Sequence, residues 1–326
     1  MPAEHAIRSL LSRLHIDGYI AALLAVVVLA TLLPARGAGA QAASLVADVG
    51  IVLLFFLHGA RLSREAIKGG ARHWQLHGAT GAVTYLLFPL LGLGMTLIPG
   101  LDPALATGLL YLTLLPSTVQ SAIAFTAMAR GNVAAAVCSA AFSNLAGILL
   151  TPLLVALLIT GRSGGLSGDA VLTIAGQLLL PFLVGHALRP WIGDWIARQK
   201  RLTTMVDRGA ILLVVYASFS AAVVEGLWTR VSWTDMLLLV IVSSALLALV
   251  LWLTALLGRA LGFSREDAIV LQFCGSKKSL ATGVPMAGVL FPASQLGAIL
   301  LPVMIFHQIQ LMVCAVLARR SGKPKD

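Results

Sequence analysis

Two adjacent lysines, Lys277 and Lys278, lie in a stretch that is otherwise apolar or small for about the depth of a membrane. A lysine near the centre of a bilayer costs from about 2.5 to above 10 kcal/mol, so a chain retains one there only when it is paired, hydrated or used. The neighbouring Gly275, Ser276 and Ser279 are poor helix formers. We therefore predict a broken membrane helix whose unwound centre forms a binding site.

The composition places these lysines in a polytopic membrane protein. Of the 326 residues, 59% are hydrophobic and only 11% are charged, whereas a soluble domain has about 25% charged residues. The first apolar segment has no convincing cleavage site and is interpreted as a retained helix. The three cysteines lie in apolar segments at unrelated spacings, which argues against a disulfide framework or a zinc site. No covalently bound cofactor is expected.

Ten segments come close to the ~20 apolar residues that a spanning helix needs. They cover approximately 17–34, 44–61, 78–98, 103–129, 132–160, 170–188, 206–226, 234–260, 266–290 and 293–318. The fourth segment is interrupted at Ser117, Thr118, Gln120 and Ser121, and the ninth is interrupted at the lysines. We predict an all-α fold of ten transmembrane helices in which the fourth and the ninth are broken and cross.

The distribution of positive charge predicts the orientation of the chain. With ten helices, the side of the N-terminus has 18 of the 23 Lys and Arg residues, and the opposite side has three. Such a split is a strong positive-inside signal, so both termini are expected in the cytoplasm and the protein in a bacterial-type inner membrane. The split also explains the net charge of +10 without nucleic acid as a partner.

The segments repeat after a shift of about 158 residues, and the two interrupted segments then superpose. Five helices in each half predict an inverted repeat, with halves 1–161 and 168–320 and a cytoplasmic tail 321–326. Paired broken helices in an inverted repeat are typical of secondary transporters. A half-helix N-terminus suits an anion, and freed carbonyls suit a cation.

Two of these interpretations have simpler alternatives. The interruption in the fourth segment is also consistent with a proline kink that Ser and Thr side chains stabilise. His307 lies in the tenth segment and is a candidate site residue, but a single His in an apolar helix is more often structural. For Lys277 and Lys278 a solvated position is harder to defend, because they lie about 15 Å beyond the cytoplasmic end of the ninth segment.

The motif Phe-Cys-Gly-Ser-Lys-Lys-Ser-Leu-Ala-Thr-Gly-Val-Pro-Met at 273–286 resembles the broken ninth helix of the bile acid:sodium symporter superfamily, and is most similar to its bacterial branch. Residues 115–122 and 129–135 resemble the fourth helix of that family and the start of its fifth. The resemblance runs from about 17 to 318. It implies a panel domain and a core domain, with import of an organic anion coupled to sodium.

The resemblance also implies sodium ligands, and several are replaced here. Ser121 matches a ligand of the first sodium site, but Ala122 stands where the family has an asparagine. Phe273 replaces a glutamate that bridges both sites, and Lys277 replaces a glutamine. Thr84 replaces a glutamine of the third helix. Sodium at Ser121 is therefore doubtful, and Lys277 is a candidate to place its ammonium where the ion would lie.

Three functions remain open from the sequence. The first is a secondary transporter of an organic anion, coupled to sodium or, alternatively, to protons or to nothing. The second is an intramembrane hydrolase that uses Ser276 or Ser279 with a lysine as base. The third is a regulatory membrane subunit that uses the fold without transport. The repeat and the paired breaks favour the transporter, which needs a small organic anion and the bilayer as its partners.

Overall fold

The computed structural model describes residues 18–61, 73–160 and 168–322, and the regular elements in those ranges are all helices. In chain order they are α1 (Gly18–Leu32), α2 (Ala38–Arg61), α3 (Trp74–Met95), α4 (Pro103–Leu114), α5 (Gln120–Met128), α6 (Val133–Thr160), α7 (Gly168–Arg198), α8 (Lys200–Val224), α9 (Leu227–Arg230), α10 (Trp233–Ala260), α11 (Arg265–Gly275), α12 (Leu280–Leu290) and α13 (Ala293–Ser321). Six of the described helices, α2, α3, α6, α8, α10 and α13, are long and apolar enough to cross a membrane. The all-helical membrane fold is therefore confirmed.

Both predicted interruptions are present as breaks between two helices. The fourth predicted segment consists of α4 and α5, and the ninth consists of α11 and α12. α4 ends because Pro116 follows the extended residue Leu115, and a residue before proline is disfavoured in helical geometry. α11 ends at Gly275, and α12 begins after Ser279, whose side chain caps it.

Several helices extend beyond the apolar segments predicted from the sequence. α2 begins at Ala38 instead of 44, α8 begins at Lys200 instead of 206, and α13 continues from 318 to Ser321. α7 continues ten residues past the predicted end at 188. The extension is stabilised because Ile196, near its end, is buried against Leu57 and Ala60 of α2. The stretch before residue 18 and the tail after 322 lie outside the described residues.

Close backbone contacts join α2 to α7. A Cβ atom added to Gly59 would lie 2.0 Å from the carbonyl oxygen of Phe182, and one added to Gly185 would lie 2.0 Å from that of Phe56. Only glycine permits such an approach. The two broken pairs also contact each other, since the Tyr111 hydroxyl of α4 donates to the Gly283 carbonyl of α12 at 2.6 Å. The breaks therefore lie between helices that are firmly packed.

Candidate functional site

The two breaks contact each other at the centre of the fold. The N–H of Ser279 donates to the carbonyl of Pro116 at 2.8 Å, and the Ser117 hydroxyl donates to the carbonyl of Cys274 at 2.5 Å. Each break therefore satisfies backbone groups that the other leaves without a helical partner. Unwound backbone at this depth is tolerated only inside protein or beside a water-filled cavity.

The Lys278 side chain lies at the centre of a group of backbone carbonyls. Its Nζ donates three hydrogen bonds, to the carbonyl oxygens of Thr84 at 2.8 Å, Thr113 at 2.8 Å and Leu115 at 2.7 Å. The residue is 1% exposed, and Nζ also lies 4.2 Å from the centre of the Phe88 ring. We call Lys278 and these three carbonyls the carbonyl cluster.

The Thr84 carbonyl is available because the helix type changes locally. Residues Val83–Leu87 of α3 form a π-helical turn, in which the Phe88 N–H bonds to the Val83 carbonyl. In α-helical geometry the Phe88 N–H would donate to the Thr84 carbonyl, but here it donates to Val83 instead. In π-helical geometry the donor to Thr84 would be residue 89, which is a proline and has no N–H. The lysine supplies the missing donor.

The carbonyls of Thr113 and Leu115 are available because α4 ends beside them. Pro116 has no N–H, and the N–H of Ser117, four residues after Thr113, bonds instead to the Ser143 hydroxyl at 2.9 Å. The last carbonyls of a helix have no intrahelical partner. In a membrane protein such groups need an internal donor, and two of the three lysine hydrogen bonds meet this need.

The three carbonyls around Lys278 Nζ match the three N–H groups of an ammonium. An ammonium has three N–H groups and no lone pair, so each of the three carbonyls receives one donor. A neutral amine would turn its lone pair toward one of the carbonyl oxygens, and that contact would be repulsive. The carbonyl cluster is therefore a binding site for a cation that the chain itself provides.

Helix α13 holds the backbone of Lys278 in place. The Gln310 side chain accepts a hydrogen bond from the Lys278 N–H at 2.9 Å and donates one to the Lys278 carbonyl at 2.9 Å. Gln310 is fully buried, and its Nε2 lies 3.0 Å from Nδ1 of His307. The predicted site residue His307 is therefore linked to the lysine through Gln310, which the sequence analysis did not include among the site residues.

Lys277 has a different environment, one residue away. It is fully buried, and its Nζ lies 4.3 Å from the centre of the Phe125 ring and 5.8 Å from that of Phe273. Its hydrogen bond to the Ser121 hydroxyl is long, at 3.4 Å. We call Lys277, Phe125, Phe273 and Ser121 the aromatic site. In the part of the chain that the structure describes, neither Lys277 nor Lys278 forms an ion pair.

Besides Ser143, two further polar residues of α6 contact the first break, and sequence reasoning missed all three. Asn144 donates to the Ser117 carbonyl at 2.9 Å and accepts from the Thr282 hydroxyl at 2.9 Å. The Thr151 hydroxyl donates to the Leu114 carbonyl at 2.8 Å. Both are hydrophilic residues within an apolar helix, and this was the signal that could have identified them.

The half-helices that begin at the two breaks differ at their N-termini. α12 is capped, because the Ser279 hydroxyl accepts from the Thr282 N–H at 3.2 Å. α5 has no side-chain cap, and Val119 before it is 40% exposed. Gln120, its first residue, is exposed as well. Because unpaired N–H groups and the helix dipole favour negative charge, α5 presents an accessible end for an anion.

A cavity of about 200 Å³ adjoins this end of α5 and is lined there by Val119, the residue before the helix. Its described lining also includes His58 and Arg61 of α2, Phe182 of α7, and residues of α6 and α12. Arg61 pairs with Asp207 of α8 at 2.6 Å, but its Nη2 has no hydrogen-bond partner among the described residues. The described lining includes one arginine, one histidine and no carboxylate.

The structure brings most of the predicted site residues together at the two breaks. These residues are Thr84, Ser117, Thr118, Ser121, Gly275, Ser276, Lys277, Lys278 and Ser279. Gln120 lies at the open end of α5, and His307 lies behind Gln310. The Ser276 hydroxyl bonds to the Gln272 carbonyl, and that of Ser279 lies 3.0 Å from the Thr282 hydroxyl. Among the described contacts neither serine meets a lysine Nζ, so the Ser–Lys pair needed by a hydrolase is not assembled.

Sodium at Ser121 stays a prediction, and the geometry there suits this ion poorly. The Ser121 hydroxyl contacts the Thr118 hydroxyl at 2.9 Å and the Lys277 ammonium at 3.4 Å. Hard cations prefer several oxygen ligands, usually with a carboxylate among them. A second cation beside the ammonium would also be repelled in this low-dielectric environment.

Comparison with known proteins identifies the family. The SBF-like CPA transporter family matches residues 17–323. The chain is 55% identical to the uncharacterized protein PA2026 of Pseudomonas aeruginosa over 95% of this chain and 94% of that protein. It is 53% identical to YfeH of Escherichia coli, provisionally named a symporter, over the same shares of the two chains. It is 28% identical to sodium/bile acid cotransporter 7 of Rattus norvegicus over 83% of this chain and 82% of that protein.

These matches agree with the resemblance in the two broken helices and cover nearly the whole chain. They exclude the hydrolase interpretation, since the matching family consists of transporters. The chain therefore belongs to the SBF-like CPA transporter family, in the bile acid:sodium symporter superfamily.

Proposed function

We propose that the protein is a secondary active transporter of a small organic anion, and that the anion binds in the cavity beside α5. The observation that supports this most directly is the uncapped N-terminus of α5 at a cavity whose described lining has an arginine, a histidine and no carboxylate. Helix N-termini and arginine are the groups that proteins use to bind carboxylates and phosphates. The rat relative, named a sodium/bile acid cotransporter, is consistent with such a substrate.

We further propose the ten-helix architecture with two inverted halves, 1–161 and 168–320. Its support is the similarity of the two broken pairs. α4 and α5 have 12 and 9 residues, and α11 and α12 have 11 each. In inverted-repeat transporters the site lies where the halves meet, and one bundle moves against the other. Panel and core domains would then each draw helices from both halves.

The proposed location is the inner membrane, with both termini in the cytoplasm. The support is the excess of Lys and Arg on one side, which has 18 of the 23 residues. In this orientation Arg61, at the end of α2, lies near the cytoplasmic surface. The cavity between α2 and α5 is then closer to the cytoplasmic side, which is the side where an imported anion is released.

Coupling to sodium is the activity that the family resemblance implies, but the lysines favour a second candidate. This candidate is anion transport without sodium, coupled to protons or to nothing. Lys277 lies against Ser121, and Lys278 lies against the Thr84 carbonyl. These are two of the positions at which the resemblance implies sodium ligands. In the second candidate, the ammonium groups provide the positive charge that sodium ions supply in sodium-coupled relatives.

Flux measurements in proteoliposomes test both parts of the proposal. We expect saturable uptake of at least one member of a panel of small carboxylates, sulfonates and phosphates, with similar rates in sodium, potassium and choline chloride. Arg61→Gln should lower the flux at least tenfold, while Arg61→Lys, which retains the charge beside Asp207, should lower it less. Thermal stability of each variant controls for misfolding.

Two outcomes would contradict the proposal in different ways. No saturable flux for any anion in any salt would exclude the transport function. Sodium-specific stabilisation of the purified protein would exclude the second candidate and leave sodium coupling. A ligand that binds only the folded state at ~100 times its Kd adds about 2.7 kcal/mol, so the effect would be visible in a melting experiment.

A further inference from the structure

A second cavity, of about 310 Å³, lies where three helix ends meet. Three arginines line it: Arg259 from the last turn of α10, Arg265 from the first residue of α11, and Arg320 from the last turn of α13. We call it the arginine pocket. Gln272, two turns further along α11, also contributes to the lining and places an amide below the arginines.

The charge of the arginine pocket is not neutralised within the described residues. Its described lining contains no carboxylate, and none of its three arginines forms an ion pair with a described residue. Arg265 donates one hydrogen bond to a backbone carbonyl, that of Ser321. The nearby Asp267 is engaged on another face of α11, where it accepts from Asn132 at 2.9 Å. Three guanidinium groups therefore face one small space with most of their donors available.

Exposed apolar side chains lead away from the pocket along two helices. On α10, Leu256 and Trp252 lie three and seven residues before Arg259 and are 40% and 59% exposed. Residues at these spacings share one face of a helix. In a membrane protein such a face contacts acyl chains.

The second apolar stripe lies on α13. Val316 and Val313 precede Arg320 by four and seven residues and are 48% and 39% exposed. Each of the two helices thus has a basic group at its end and an apolar face directly below it. This order, charge above and hydrocarbon below, is the order of a membrane lipid from headgroup to chain.

We propose that the arginine pocket binds the phosphate group of an anionic membrane lipid. Arginine matches phosphate because its planar fork donates two parallel hydrogen bonds. Basic pockets between transmembrane helices at the cytoplasmic surface are a recurrent site for acidic lipid headgroups, and the positive-inside prediction places this pocket at that surface. Free inorganic phosphate offers the same chemistry at the headgroup but gives no use for the two apolar stripes.

The experiment compares lipid binding by two charge-matched variants of the full-length protein. One variant is Arg259→Gln/Arg320→Gln, which retains Arg265 and its contact with Ser321. The control is Arg198→Gln/Arg201→Gln, which removes two exposed cations from the predicted cytoplasmic side without touching the pocket. Binding is measured as the rise in melting temperature during titration with phosphatidylglycerol in a neutral detergent, with phosphatidylcholine and inorganic phosphate as separate arms.

We expect phosphatidylglycerol to stabilise the wild type and the control equally, and the pocket variant to need at least tenfold more lipid for half of the effect. Native mass spectrometry should show a retained lipid in the first two proteins and less in the third. Equal weakening in both variants would mean a non-specific effect of surface charge and would overturn the proposal. Equal stabilisation by phosphatidylcholine, or by inorganic phosphate at the same concentration, would overturn it as well.

Discussion

The carbonyl cluster and the aromatic site show how differently one fold can use two adjacent lysines. Lys278 donates to three carbonyls at 2.7–2.8 Å, whereas Lys277 has one hydrogen bond of 3.4 Å and two aromatic rings. Both are fully or almost fully buried, so burial alone does not distinguish them. What distinguishes them is whether neighbouring groups would lose a required partner if the lysine were removed.

The largest effect is expected for Lys278→Met. The substitution leaves three buried carbonyls without donors, at about 1 kcal/mol or more for each. Destabilisation by about 3 kcal/mol should lower the melting temperature in detergent by about 5 °C or more, together with a loss of monodisperse protein. Lys277→Met is the matched control. Equal shifts for the two variants would show that the carbonyl cluster has no special structural role.

A smaller effect is expected for Gln310→Leu. Leucine fills a similar volume but leaves the N–H and the carbonyl of Lys278 unpaired, which predicts a loss of about 2 kcal/mol. The control is Gln308→Leu, because the Gln308 Oε1 has no hydrogen-bond partner among the described residues. Melting curves of the two variants should therefore separate. If Gln308→Leu is as destabilising as Gln310→Leu, the loss of stability does not come from the hydrogen bonds between Gln310 and the Lys278 backbone.

The smallest effect on stability is expected for Lys277→Met. Methionine packs well against aromatic rings, and no backbone carbonyl depends on the Lys277 ammonium, so the stability should change by about 1 kcal/mol or less. Although the change in stability is small, the loss of transport should be large, because an anion at the open end of α5 loses a nearby positive charge. We expect at least a tenfold loss of flux for the anion found in proteoliposomes. Unchanged flux would assign both lysines to structure.

Sequence reasoning could locate both breaks because their signals are local. Pro116 and the glycine-serine-lysine run around Gly275 interrupt otherwise apolar segments, and each does so within a few residues. The same reasoning could predict that the lysines are used. It could not predict which lysine faces which partner, because residues 276–279 are not helical and helical periodicity does not apply to them.

The partners of Lys278 were harder to predict because they are backbone atoms from distant parts of the chain. The Thr84 carbonyl can accept a hydrogen bond from Lys278 only because of the π-helical turn at Val83–Leu87, and no residue pattern in the sequence predicted that turn. Thr84 was predicted as a site residue for its side chain, but its carbonyl makes the contact. Gln310 and Asn144 were missed because hydrogen bonds to unwound backbone depend on how the helices pack.

The three hydrogen bonds of Lys278 also have an electrical consequence. A sodium ion can cross the membrane with an anionic substrate and cancel its charge. The Lys278 ammonium is covalently part of the chain between α11 and α12 and stays in the protein. An anion that crosses without a mobile cation moves net charge, and each elementary charge is worth about 2.3 kcal/mol per 100 mV of membrane potential. Inward movement of a monovalent anion against an interior-negative potential is then opposed by that amount, so the voltage dependence of the flux reports whether the chain's own cation has replaced a transported one.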